Sequence, residues 1–300
     1  MSSPEAVLGG AHPAASGDPV RRRFVDIPGG QVHLRQAGQE RPGRPLVMLH
    51  ASPGSSRMLV PLLSRFAATR PVFVPDTLGN GDSSPPPGDA PPLAVFVDAQ
   101  CAAIDALGLR QFDLYGTHTG ANIACEIAIR WPDRVGRLIL DGVSLYTEAE
   151  RDEMLRCYAP PVVPREDGSH LLWIWTFIRD AFLFWPWYKR DAAHLRAVGL
   201  PDADALHDKF VEVVKAARTY HLSYRAAIGY RKEDRLPLVR VPTLLVCAET
   251  DMLLAYLDRV AALMPGARRV TMPGFADEAS ARRSTALMAG FLDDDAVPAS

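Results

Sequence analysis

Cysteine is scarce in this 300-residue sequence, and its four cysteines are far apart. No two of them form a C-x-x-C pair, and no two histidines have the H-x-x-x-H or H-E-x-x-H spacing of a metal site. A P-loop and a G-x-G-x-x-G segment are also absent. We therefore expect no disulfide framework, no metal and no cofactor, and a reducing cytoplasm as the natural setting.

An excess of charge of either sign is also missing. The 33 Lys and Arg residues are balanced by 35 Asp and Glu residues, so the net charge of -2 provides no basic field for nucleic acid. No apolar run reaches the ~18 residues that suggest a membrane span. Residues 1–20 lack the basic start and apolar run of a signal peptide, so we expect a loose N-terminal tail. These absences favour a small-molecule partner over nucleic acid or a membrane, and they leave the oligomeric state open.

Short β-rich runs alternate with helical patterns over most of the chain. From Phe24 onward, strand-like runs are separated by stretches of helical pattern, which is typical of helices packed on a mostly parallel sheet. The alternation stops near residue 145, and the pattern of residues 145–236 is mainly helical. We therefore predict eight strands in an α/β core of residues 21–144 and 237–296, with residues 145–236 inserted as a helical cap.

Aromatic side chains are concentrated in the predicted cap. Four of the five tryptophans lie there within fifteen residues, beside several Phe and Tyr residues. Such a stretch forms either the cap's own core or the ceiling of a pocket beneath it. The candidates for lining a substrate pocket are Trp173, Trp185, Trp187, Tyr188 and His221.

A Gly-x-x-x-Gly turn follows one of the strand-like runs. Gly116-Thr-His-Thr-Gly120 stands between a strand pattern and a helical pattern, which is the context of a nucleophile elbow. Together with His50-Ala-Ser-Pro-Gly54, Pro75-Asp-Thr-Leu-Gly-Asn-Gly and Glu249-Thr-Asp251, this turn resembles the α/β-hydrolase family. The resemblance runs from about Arg23 to Leu292. It implies an α/β-hydrolase fold, with a mostly parallel sheet flanked by helices and an inserted helical cap.

Two residue types that this resemblance implies are absent. The elbow position holds His118 where the family has Ser, Cys or Asp, and no histidine follows His221. The family places a histidine after the last strand as the general base. A Ser-His-Asp mechanism therefore cannot be assembled from matching positions.

An imidazole at the elbow can be a base, a nucleophile or a ligand contact, and its partner decides which. Asp141, at the end of the next predicted strand, and Asp251, at the family's acid position, are the two candidate partners. The start of a helix lowers the pKa of an imidazole, and a nearby carboxylate raises it. The sequence therefore leaves open whether the pKa of His118 is raised or lowered. The resemblance also implies backbone oxyanion donors at Ser52 and Thr119.

The sequence supports two functional hypotheses of different classes. The first is an enzyme that uses His118, with Asp141 or Asp251, in hydrolysis or a lyase-type step through an oxyanion, on a small, largely apolar substrate. The second is a non-catalytic protein that binds a ligand in the same pocket. Turnover that depends on His118 separates them, because one scaffold hosts many chemistries. Neither hypothesis identifies the substrate or the bond attacked.

Overall fold

One mixed sheet organises the fold. The computed structural model describes residues 19–294, so nearly all of the predicted N-terminal tail and the last residues of the predicted core lie outside the described residues. The sheet has eight strands in the order β1-β2-β4-β3-β5-β6-β7-β8, which confirms the predicted sheet. Only the pairs β1 with β2 and β2 with β4 are antiparallel among the described strands. The strands are β1 Arg21–Ile27, β2 Gly30–Ala37, β3 Leu46–Leu49, β4 Val72–Pro75, β5 Phe112–Thr117, β6 Val135–Asp141, β7 Thr243–Ala248 and β8 Arg268–Met272.

The central strands are covered by helices on both faces. Every residue of β3 and of β5 is buried, as expected for parallel strands between two helical layers. One layer contains α2 Leu93–Ala106, α3 Thr119–Arg130 and α9 Leu257–Leu263, and the other contains α1 Val60–Phe66 and α10 Glu278–Leu292. Because β5, β6 and β7 are parallel neighbours, the residues that follow their carboxyl ends meet at one edge of the sheet.

Five helices lie between β6 and β7, and we call residues 145–236 the cap. They are α4 Glu148–Cys157, α5 Ser169–Leu183, α6 Ala203–Lys215, α7 Tyr220–Gly229 and α8 Lys232–Arg235. α4 begins with a capping box, in which the Thr147 hydroxyl accepts from the Glu150 amide and the Glu150 carboxylate accepts from the Thr147 amide. The cap helices bury an apolar cluster of their own. None of the helices within residues 19–294 has both the length and the apolar composition needed to cross a membrane.

Candidate active site

The turn between β5 and α3 carries His118. β5 ends at Thr117 and α3 begins at Thr119, so a single residue joins strand to helix. His118 has φ 50° and ψ -108°, and within residues 19–294 no other non-glycine residue has a positive φ. Such a conformation costs on the order of 1–3 kcal/mol and is concentrated at functional sites. A Cβ on Gly120 would collide with the carbonyl of Leu49, which explains why the second residue of α3 is a glycine.

The imidazole of His118 is held by Asp251. Its Nε2 lies 2.8 Å from Asp251 Oδ2, and Asp251 Oδ1 accepts from the amide of Leu253 at 2.7 Å. Gly142 makes room for the ring, because a Cβ there would stand 2.7 Å from Nε2. An ionised carboxylate only accepts hydrogen bonds, so Nε2 carries the hydrogen and Nδ1 of the neutral ring carries the lone pair.

Asp141 lies near the elbow, but its carboxylate binds another side chain. Its Oδ2 accepts from the hydroxyl of Tyr115 at 2.7 Å, and its backbone carbonyl accepts from the amide of His118 at 2.9 Å. Burial raises the pKa of the Asp141 carboxyl to about 6, although the hydrogen bond from Tyr115 opposes that shift. Of the two candidate partners, Asp251 therefore contacts the imidazole, whereas Asp141 supports the backbone of the turn.

Opposing effects set the pKa of His118. Burial is the largest effect and lowers the pKa, but the charge and hydrogen bond of Asp251, with the charge of Asp141, raise it above the usual value. For Asp251, burial raises the pKa, and the charge and hydrogen bond of His118 outweigh it, so that the pKa is lowered. The two carboxylates thus make the net shift in the pKa of His118 an upward one, which the sequence left open. The ring keeps its proton to a higher pH than an ordinary histidine does.

A cavity of about 80 Å³ opens beside His118, between the core and the cap. Asn122 lines it from the core, and its side chain is almost buried yet makes no hydrogen bond to the part of the chain that the structure describes. The cap contributes an indole and three phenols: Trp185, Tyr146, Tyr158 and Tyr224. The rings of Tyr158 and Tyr224 pack against each other, with their centroids 5.2 Å apart. The cavity therefore combines aromatic walls with several groups that can bind an oxygen atom.

The structure separates the five predicted pocket residues. Trp185 lines the cavity, and four lie elsewhere in the cap: Trp173, Trp187, Tyr188 and His221. The ring centroids of Trp173 and Trp187 stand 5.6 and 5.0 Å from that of Phe177, so these indoles pack inside the cap. A small helical unit must bury most of its aromatic rings against one another to be stable. Of the five candidates, the structure therefore brings Trp185 to this cavity, whereas Trp173 and Trp187 pack within the cap.

Most residues that line the cavity were not identified from the sequence, among them Asn122, Tyr146 and Tyr158. Asn122 stands four residues after His118, so one helical turn of spacing from the elbow could have indicated it. Tyr146 lies in the loop between β6 and α4, and Tyr158 follows the last residue of α4. Their orientation depends on how the cap lies on the core, for which neither residue has a local signal.

The two predicted oxyanion donors differ in their access to the cavity. Thr119 lines it, and its amide stands at the start of α3, where no intrahelical partner is available. Ser52 does not line the cavity, and its hydroxyl lies 2.9 Å from that of Ser223 in α7. Lys209 of α6 donates to the carbonyl of Pro53 in the same loop. The loop that carries Ser52 is therefore held in place by two contacts with the cap.

The loop after β8 contains no histidine, and a serine of α10 binds its backbone. The hydroxyl of Ser284 accepts from the amide of Gly274 at 3.1 Å and donates to its carbonyl at 2.8 Å. This loop precedes α10, and the chain has no histidine after His221. His118 is therefore the histidine that pairs with the acid at the end of β7.

One group of side chains within residues 19–294 has the spacing of a metal site: His33, Asp76 and Asp82. The carboxylate of Asp76 already accepts from His33 Nδ1 at 2.8 Å, from the amide of Ser56 at 2.6 Å and from the amide of Asp82 at 3.1 Å. These donors satisfy a buried carboxylate without a cation. The arrangement fits a structural hydrogen-bond network.

Comparison with known families agrees with the mostly parallel sheet flanked by helices. The model of the alpha/beta hydrolase fold family matches residues 44–279. The chain belongs to the α/β-hydrolase family. Among solved structures of this fold, the enol-lactonase from Burkholderia xenovorans LB400 has a TM-score of 0.67 and 18% identity, covering 90% of this chain and 99% of that one. A hydrolase from Pseudomonas aeruginosa PA01 has a TM-score of 0.69 and 22% identity, covering 91% and 98%.

Curated relatives in the α/β-hydrolase family match a shorter stretch. The 2-hydroxymuconate semialdehyde hydrolase of Pseudomonas sp. (strain CF600) is 36% identical over 135 residues, which are 43% of this chain and 46% of that protein. The cis-3-alkyl-4-alkyloxetan-2-one decarboxylase of Shewanella oneidensis is 31% identical over 125 residues, 41% of this chain and 38% of that protein. The matched stretch thus spans less than half the length of these relatives.

Proposed function

We propose that this protein is an enzyme that acts on a small, largely apolar molecule with a carbonyl oxygen, and that His118 replaces the usual serine. The single observation that carries the proposal is the placement of His118. Its ring lies in a strained turn, faces a cavity and is fixed 2.8 Å from Asp251. The strain contributes nothing to stability, so its retention favours a functional role for this side chain.

Nδ1 of His118 is the proposed base. In hydrolysis it takes a proton from water while the water oxygen bonds to the carbonyl carbon and the carbonyl electron pair moves to its oxygen. The amide of Thr119 donates to this oxyanion. The adduct then collapses, the carbonyl re-forms, and the leaving group takes the proton from the imidazolium. A lyase-type step would begin with the same nitrogen taking a proton from the substrate.

Asp251 serves this mechanism in two ways. It fixes the tautomer that leaves the lone pair on Nδ1, and its charge stabilises the imidazolium formed during the reaction. The raised pKa of His118 makes the ring a stronger base than an isolated imidazole. The same shift means that the reactive neutral form is lost earlier as the solution is acidified.

Similar proteins support a carbonyl substrate. The names of three relatives, a semialdehyde hydrolase, an oxetanone decarboxylase and an enol-lactonase, each denote a small compound with a carbonyl group. The cavity has aromatic walls for an apolar body and Asn122 for an oxygen. We therefore place esters, lactones and semialdehydes before epoxides as candidate substrates.

A substrate panel tests the proposed function against pure ligand binding. The protein is incubated with esters, lactones, semialdehydes, epoxides and cell extract, and mass spectrometry follows consumed compounds and adducts on His118. Consumption by the wild type and none by His118→Ala supports the enzyme. Binding of a compound that neither protein consumes supports the non-catalytic alternative, and equal consumption by both contradicts a role for His118.

Fluorophosphonate probes are expected to leave every serine of this protein unlabelled. These probes need a serine activated by a neighbouring base, and neither the elbow nor the loop after β8 provides that pair. Intact-mass measurement checks the result, with an ordinary serine hydrolase labelled in parallel. Stoichiometric labelling of Ser52 or Ser84 would show an activated serine that this mechanism lacks.

Replacement of Asn122 by leucine is expected to raise KM by about 3- to 10-fold with little change in kcat. Leucine keeps the approximate size of the side chain but removes the amide that faces the cavity. A hydrogen bond made equally in the ground and transition states affects KM alone. Steady-state kinetics and the unfolding temperature are measured together. An unchanged KM in a folded variant would mean that Asn122 does not contact the substrate.

A further inference from the structure

A buried lysine stands where the chain leaves the cap. Lys232 begins α8 and is 2% exposed. Its Nζ donates to the carbonyls of Ala227 at 2.9 Å and Tyr230 at 3.4 Å, and it lies 5.8 Å from the ring centroids of Tyr146 and Tyr230. The proposed reaction does not use this amine. Its burial therefore needs another explanation.

Lys232 contacts both chain segments that join the cap to the core. Tyr146 lies where the chain enters the cap after β6, and Tyr230 lies where it leaves after α7. Tyr146 and Ala227 also line the cavity beside His118. A movement of this one amine would therefore change the cavity wall at two places.

The charges on the α4 and α8 side leave Lys232 without an ion pair. Arg151 of α4 is the cation that faces it, and Arg151 donates to Glu233 of α8 at 2.6 Å. Within residues 19–294 no carboxylate forms an ion pair with the Lys232 amine. A charged amine at this place is thus desolvated and repelled without direct compensation.

The groups on the α3 side are also occupied. The carboxylate of Glu126 accepts from the Tyr230 hydroxyl at 2.6 Å and from Arg235 at 2.7 Å. Burial raises the pKa of the neighbouring Cys125 thiol to about 12, so this group is neutral at physiological pH. The Lys232 amine is left with two backbone carbonyls and two tyrosine rings, none of which carries the full negative charge that would offset the desolvation of an ammonium.

We propose that Lys232 is a pH-dependent latch, whose neutral amine holds Tyr146 and the end of α7 at the cavity and whose protonation draws it toward water and loosens both junctions. The effect on substrate binding rests on the function proposed above. The opening of the junctions does not depend on that function.

Thermodynamic linkage determines whether a rise in pH stabilises or destabilises the closed form. Burial, with the charge of Arg151, lowers the pKa of Lys232 to about 7, and the smaller effect of the Glu233 charge opposes this. A solvated lysine has a pKa of about 10.4. Between these values the open form binds a proton that the closed form does not, so the closed form gains stability as the pH rises. Below pH 7 the buried charge is present in full, and the junctions open most easily.

Hydrogen–deuterium exchange of the full chain without ligand tests the latch. Lys232→Met keeps the length of the side chain and is permanently neutral, whereas Lys232→Arg is permanently charged. Protection factors, which correct for the intrinsic effect of pH, are measured for residues 143–149 and 226–233 at about pH 6 and about pH 8.5. We expect a rise of at least about fivefold with pH in the wild type, protection that does not change with pH in Lys232→Met, and low protection at both values in Lys232→Arg.

Lys215→Met is the matched control, since Lys215 is an exposed lysine of the cap, and it should follow the wild type. An equal pH dependence in the wild type and Lys232→Met would overturn the latch. This comparison decides the question even if Lys232→Arg does not fold. Exchange requires no turnover, so the result is independent of whether His118 acts on a substrate. If it does, KM should fall with rising pH in the wild type and stay constant in Lys232→Met.

Discussion

Replacement of His118 by alanine is expected to lower kcat/KM by roughly 10²- to 10⁴-fold, the range typical of a positioned acid-base group. The ring is the proposed base, and no other histidine lines the cavity within the described residues. Its side chain is 28% exposed and supports little core packing, so the variant should stay folded. Kinetics on a substrate found with the panel, together with thermal unfolding, measure both effects.

His118→Ser is the informative control for this prediction. It restores the residue that the family usually has at the elbow, but no histidine follows β8 to activate the hydroxyl. We therefore expect no ordinary esterase activity in this variant. Esterase turnover comparable to that of a natural serine hydrolase would reveal another base beside the elbow and contradict the proposed division of roles.

The fold could be predicted because its signals are local. Strands such as β3 are short apolar runs. The glycines of the elbow are required by close backbone approaches, of Gly116 to the first turn of α3 and of Gly120 to Leu49. Such patterns need no knowledge of distant contacts. The packing inside the cap has no local signal of this kind. Trp173 and Trp185 belong to the same aromatic stretch, yet the first packs against Phe177 and the second faces the cavity.

The partner of His118 could be narrowed to two residues but not chosen from the sequence. Asp141 ends β6 and Asp251 follows β7, its parallel neighbour, so both reach the edge where His118 lies. The choice depends on a competing donor, since the hydroxyl of Tyr115 binds the carboxylate of Asp141 and the amide of Leu253 orients Asp251 toward the ring. The contact between Tyr115 and Asp141 joins side chains of different strands, which periodicity does not encode.

Replacement of Asp251 by asparagine is expected to lower kcat/KM by roughly 10²- to 10⁴-fold, because the amide no longer fixes the tautomer or stabilises the imidazolium. The acid limb of the pH profile should also move. Asp251 raises the pKa of His118, and activity requires the neutral ring, so the wild type loses activity as the pH falls through this raised pKa. Without the carboxylate charge the pKa falls, and the remaining activity should persist to lower pH than in the wild type.

The matched control is Asp141→Asn, which removes a carboxylate that acts on His118 only through its charge. We expect its acid limb to move in the same direction by a smaller amount, with kcat/KM much less affected than in Asp251→Asn. Profiles of kcat/KM against pH for the three proteins report the ionisation of the free enzyme. If the limb of Asp251→Asn stays in place or moves to higher pH, the group that titrates is not the His118 imidazole paired with Asp251. Equal losses in the two variants would instead mean that Asp141 and Asp251 share the support of the ring.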